Sequence, residues 1–135
     1  MNTEMASPEH MLLFRGSYWD NNLSPEELQN VMSQWTIWFD RLAEQGKIKS
    51  AQPLLHEGRI VSWKKGQTIA DGPFAESKEA IGGYFLLQNC DLDEALEIAK
   101  ECPALPYGMT VEVRPVAGIC PSWQKANSRL AHATT

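Results

Sequence analysis

Asp71 and His56 are the two side chains whose types best suit proton transfer near neutral pH. As a general base, Asp71 needs burial or a neighbour that raises its carboxyl pKa. In Asp71-Gly72-Pro73 it equally suits a turn, with the aspartate accepting backbone N–H bonds and the proline stiffening the chain. His56, beside Glu57, can shuttle protons if it comes within hydrogen-bond reach of Asp71 or of a substrate. A histidine at a strand end can equally be a surface residue. Arg15, Glu112 and Arg114 form a third group. Alternation puts Glu112 and Arg114 on one strand face and Val111 and Val113 on the other. If the valines face the helices, Arg15 joins the charged face. Such an arginine pair suits a carboxylate or enolate, and a cross-strand ion pair with Glu112 is the competing arrangement. Trp19, Trp63, Phe74 and Tyr84 are candidates to line a cleft for a flat apolar ligand.

Recognisable elements must position these residues. His10 to Gly16 is short, apolar and glycine-terminated, as a strand requires. Ser24-Pro25-Glu26-Glu27 opens a helix with a capping box and a proline at the first helical position. Leu28, Val31, Met32, Trp35, Trp38, Phe39 and Leu42 recur on its inner face, Ile37 lies off that face, and Gly46 stops it. Ala51 to His56 reads as a strand. Gly58 to Trp63 and Gln67 to Ala70 read as a hairpin around Lys64-Lys65-Gly66. Ser77 to Ile81 reads as a short helical connector. Gly82-Gly83 leads into the apolar strand 84–88, where a bulge or a close backbone approach explains the glycines better than phosphate binding does. Asp91 caps a second helix that Pro103 and Pro106 stop, and Thr110 to Arg114 alternates as a last strand.

The order is βαββαβ, an α+β chain of the ferredoxin-like plan: an antiparallel sheet with both helices on one face. Tyr84 to Leu87 is apolar on both sides, so the other sheet face also needs cover. A homodimer with two sheets face to face supplies it. The expected layout is a flexible N-terminus over 1–9, one domain over 10–116 and a partly ordered extension over 117–135.

Composition narrows the function classes. The chain has 135 residues, 43% of them apolar and 21% charged, which suits one soluble globular domain. Twelve basic against 17 acidic residues leave a net charge of -5. That balance disfavours nucleic acid and anionic membranes as partners. No run approaches a membrane span and no apolar signal segment opens the chain. Cys90, Cys102 and Cys120 are odd in number and widely spaced, as free thiols of a reducing compartment would be, so the cytoplasm is expected. There is no CxxC, and His10, His56 and His132 form no metal-ligand pairing, so neither metal nor cofactor is expected.

Asp71-Gly72-Pro73-Phe74-Ala75-Glu76-Ser77-Lys78-Glu79 followed by Gly82-Gly83-Tyr84-Phe85 resembles the signature of the DGPF proteins of the YCII-related family. Val111 to Pro115, Met11 to Leu13 and the Leu23-Ser24-Pro25-Glu26-Glu27 helix start are similar to its other segments. The resemblance implies a dimeric α+β barrel. It also implies an acid–base couple of a histidine and an aspartate, with Asp71 at the motif position and His56 in the region of the histidine. Genes of the family often neighbour extracytoplasmic-function sigma factors. Two functions follow as expectations. One is binding or transformation of a small anionic molecule by cofactor-free acid–base chemistry, with Asp71 and His56 catalytic and Arg15, Arg114, Tyr84, Trp63 and Phe74 binding. The other is a non-catalytic module associated with such a sigma factor, docking through the extension or the 57–70 hairpin.

Overall fold

A computed structural model describes residues 6–16, 18–63, 67–71 and 80–133, with 6–7, 67–71 and 131–133 described in backbone only. The strands are β1 (Ala6–Arg15), β2 (Ile48–Pro53), β3 (Arg59–Trp63), β4 (Gln67–Asp71), β5 (Ile81–Leu87) and β6 (Thr110–Ala117). The helices are α1 (Pro25–Glu44), α2 (Leu92–Lys100) and α3 (Pro121–Ala133).

Helix α1 begins where local chemistry puts it. Ser24 Oγ accepts the Glu27 N–H at 3.1 Å, and Glu27 Oε1 accepts the Ser24 N–H at 3.0 Å. The box satisfies two backbone donors at the helix entry. The helix ends before Gly46, whose φ of +72° is a left-handed angle that favours glycine. Asp91 caps α2 with a single such bond, its Oδ1 accepting the Glu94 N–H at 2.8 Å.

Four strands form one sheet in the order β2-β5-β1-β6, every neighbouring pair antiparallel. This is the strand order of the ferredoxin-like plan, reached because each helix carries the chain past an intervening strand. Strands β3 and β4 make a separate two-stranded hairpin. In the central register Leu12 stands opposite Phe85 on one side and Val113 on the other. Leu12, Phe14, Phe85 and Leu87 pack against Trp38 and Leu42 of α1 and Ala95 and Ile98 of α2. Each such side chain contributes about 1.5–3 kcal/mol on leaving water.

The opposite sheet face carries Met11, Leu13, Tyr84 and Leu86, all half-buried, along with Arg15, Glu112 and Arg114. None of these residues belongs to the buried core cluster.

Several bounds differ from expectation. β1 starts at Ala6, inside the segment expected to be flexible. β2 spans 48–53 rather than 51–56, because after Pro53 the chain leaves the pairing with β5 and His56 falls in a loop. The extension, expected to be a partly ordered tail, contains helix α3. Pro121 at its first position and helix-favouring Gln124, Lys125, Ala126, Arg129 and Leu130 account for it. The expected connector at 77–81 falls mostly outside the described residues, and Ile81 already belongs to β5.

Candidate functional site

One end of the layer between α1 and the sheet opens into a cavity of about 530 Å³. Its helix side comes from Met32, Trp35 and Phe39, one stripe of α1. Phe14 and Phe85 form the floor, and Trp19 and Asp20, in the turn after β1, close one flank. The other flank is the chain around Pro53, His56 and Gly82-Gly83. The aromatic rings brace one another edge-to-face: Phe14 lies 5.0 Å from Trp35 and 4.9 Å from Phe85 between centroids. Such T-shaped pairs add rigidity beyond simple burial.

Gly83 sets the width of this flank. A Cβ there would meet the Gln52 carbonyl oxygen at 3.0 Å and Pro53 Cα at 3.2 Å. The glycine therefore serves a close backbone approach, one of the two roles the sequence suggested. Leu54 then donates its N–H to the Gly82 carbonyl at 2.9 Å, pinning the chain that carries His56.

His56 borders the cavity, and the ring of Tyr18 packs edge-on against it at 4.7 Å. Asp20 lines the cavity as well. Asp71 ends β4 with its backbone opposite Arg59, so the hairpin returns it to a point close along the fold from His56. Its side chain, and Phe74 with the rest of the 72–79 motif, lie outside the described residues.

Tyr84 borders the cavity, but its hydroxyl is directed to Ser50 Oγ, 3.3 Å away. Trp63, 80% exposed on β3, does not line the cavity. Arg15 and Arg114 do not line it either. They sit on the open sheet face, where Arg15 Nε donates to Glu112 Oε1 at 3.0 Å and Arg114 Nε lies 3.7 Å from Glu112 Oε2. The Arg15 hydrogen bond holds the Glu112 carboxyl below its ordinary value, against an opposing effect of burial. Of the two arrangements considered for this trio, the described geometry is the cross-strand ion pair.

Several wall residues escaped sequence reasoning, Trp35 and Asp20 among them. Trp35 was assigned to the core, yet its half-buried ring serves both core and cavity. Asp20 gave no signal beyond its place after two aromatics in a turn.

A second polar pair, His10 and Cys90, lies at the other end of the sheet. Both are buried, with Cys90 Sγ 3.8 Å from His10 Nδ1. Burial, reinforced by Glu94, pushes the Cys90 thiol up, which opposes the thiolate form a nucleophile needs. Among the described residues no group of three His, Cys, Asp or Glu side chains is placed to hold a metal ion. No described helix is long and apolar enough to cross a membrane.

Residues 11–118 match the YCII-related domain. The chain belongs to the YCII-related family. It is 36% identical over 98 residues to an uncharacterized protein of Rhizobium meliloti (strain 1021), a match covering 70% of this chain and 79% of that protein. The YCII-related match takes in the second half of β1, the other three strands of the sheet, the hairpin and the described cavity walls, and it stops before α3.

Proposed function

We propose that this YCII-related protein binds a small, flat organic molecule in the aromatic cavity and acts on it by cofactor-free proton transfer. The cavity itself carries the proposal: it has the volume and apolar lining of a small-molecule site and few polar groups to orient a ligand. His56 is the proposed proton-exchanging group, since imidazole changes charge close to physiological pH and this one stands on the wall. Edge-on packing by Tyr18 limits its ring to few orientations. Asp71 is its proposed partner, on the strength of the hairpin that brings the chain back beside the His56 loop. Arg15 and Arg114 have no part in this cavity, so recognition of an anionic group by them is not included.

The test is tryptophan-fluorescence titration with indole and 2-naphthol as flat probes, alongside native mass spectrometry of the purified protein. Saturable quenching that Trp35→Ala abolishes without unfolding supports the site. Absence of quenching at millimolar probe, together with a bare native mass, ends the proposal.

Homodimerisation through the open sheet face is part of the same reading. Met11, Leu13 and Leu86 need cover there, and a second sheet is the complementary surface. Leu13→Arg is expected to shift a micromolar dimer to monomer in analytical ultracentrifugation. A wild-type monomer would remove this part. Cytoplasmic residence is proposed from three free thiols, two of them buried.

One observation favours the second reading, a regulatory module bound to an extracytoplasmic-function sigma factor. Helix α3 displays Trp123 and Leu130 one face apart by seven residues, 66% and 65% exposed, and no acidic residue follows Glu112. Deleting residues 118–135 should abolish capture of such a sigma factor. Capture undiminished by the deletion would remove α3 from that role.

A further inference from the structure

We infer that the aromatic cavity selects an organic cation, a molecule with an ammonium or similar group on an apolar body. This rests on the cavity being a binding site, as proposed above, and adds the charge of what it takes.

Three observations carry it. Six aromatic residues, Phe14, Trp19, Trp35, Phe39, Tyr84 and Phe85, line the space. Aromatic faces bear negative partial charge and attract cations, most strongly for tryptophan and where water is excluded. Asp20 is the one carboxylate on the described wall, and no lysine or arginine is among the described lining residues. Asp20 makes no side-chain hydrogen bond or ion pair with the described residues, so its charge is open to a ligand.

Four basic side chains of the sheet and its flanks are paired outside the cavity lining. Arg15 and Arg114 meet Glu112 on the other sheet face. Lys47 and Lys49 pair with Glu94 and Glu9, both away from this wall. A net charge of -5 adds a negative field that draws cations and repels anions. An anionic ligand would lose its hydration and meet Asp20, with His56 the one described wall side chain able to carry a positive charge. A cation would meet both the carboxylate and the tryptophans.

The experiment compares three probes of similar shape on the full-length protein by calorimetry and tryptophan fluorescence. They are benzyltrimethylammonium, neutral neopentylbenzene and anionic phenylacetate. The cation is expected to bind about tenfold or more tightly than the neutral probe, the scale of combined cation–π and single-charge contacts. Asp20→Asn should weaken the cation roughly threefold to tenfold and leave the neutral probe unchanged. Asp20→Glu should keep the cation preference, and melting curves of both variants separate binding loss from unfolding. Equal or tighter binding of the neutral or anionic probe overturns the inference while leaving the cavity as a site. So does a cation affinity unaffected by Asp20→Asn. If none of the three probes binds, the cavity reading fails and this inference fails with it.

Discussion

Gly83→Ala tests how β2, β5 and the cavity depend on one another. Two effects oppose each other. Replacing glycine narrows the unfolded ensemble, which stabilises the fold by roughly 0.4–1 kcal/mol when the native backbone suits alanine. Gly83 is not among the glycines with positive φ, so no backbone strain arises. The new methyl, however, would lie 3.0 Å from the Gln52 oxygen and 3.2 Å from Pro53 Cα. Both are backbone atoms, which cannot rotate away as a side-chain end could. Edge strand β2 must move by a few tenths of an ångström, and such overpacking costs about 1–3 kcal/mol. The net expectation is a loss of about 1–2 kcal/mol, or a drop of roughly 3–8 °C in Tm for a domain of this size. Urea unfolding followed by tryptophan fluorescence reads the first figure, and calorimetry reads the second. Hydrogen exchange should also quicken at the Leu54 amide, which is bonded to Gly82. Gly46→Ala is the comparison: nothing lies within 4 Å of its new methyl, and its cost of about 1 kcal/mol is purely that of the left-handed backbone. Gly46→Ala should leave probe binding intact, whereas Gly83→Ala should weaken it. A Gly83→Ala protein as stable as the parent, with an unchanged denaturant slope, would refute the close-approach reasoning.

Ser24→Ala should cost about 1 kcal/mol in urea unfolding, since it removes the Oγ that accepts the Glu27 N–H while the backbone N–H that donates to Glu27 Oε1 remains. The Glu112 carboxyl is held below its ordinary value of 4.5, first by the Arg15 hydrogen bond. A group depressed in the folded state stabilises above its unfolded pKa and loses that contribution as pH falls through the folded one. Stability of the parent should therefore fall more steeply below pH 4.5 than that of Glu112→Gln in a pH series of melting curves. The thiols should divide sharply in timed labelling at pH 7.5. Cys120 is exposed, and backbone N–H bonds from Trp123 and Ser122 hold its thiol below the ordinary value. Burial pushes Cys102 up to about 11 and raises Cys90 as well. One fast thiol, lost in Cys120→Ser, is expected, and a second fast thiol would contradict the buried positions.

Local rules made much of the architecture legible. The capping box at Ser24, the left-handed glycine after α1, the Asp91 cap and the alternation of Val111 to Arg114 are each determined by neighbours a few residues away. The βαββαβ order follows from those elements. The ends of β1 and β2 were less legible, because strand length depends on which partner strand runs alongside, and that is a contact across the chain. Helix α3 was missed because its apolar positions are few and lie on an exposed face, so the packing signal that marks a buried helix is weak there.

The candidate site divides the same way. His56 and Trp19 were legible by type, while Trp35 was read as core because its spacing is identical to that of its buried neighbours Val31 and Trp38. Only the end of the helix–sheet layer, where packing stops short, makes Trp35 and Phe39 into walls. The arginines show the converse. Their types suited an anion, and alternation correctly gave them a common face, but the sheet's register sets that face opposite the cavity and aligns both with Glu112. By itself the sequence determined helices α1 and α2, their caps and the βαββαβ element order, because short-range hydrogen bonding and side-chain period decide them, and its motifs carried the family resemblance. The tertiary structure alone decided which side of the sheet each charge occupies and where a cavity opens, because both depend on strands and helices packing across long stretches of chain.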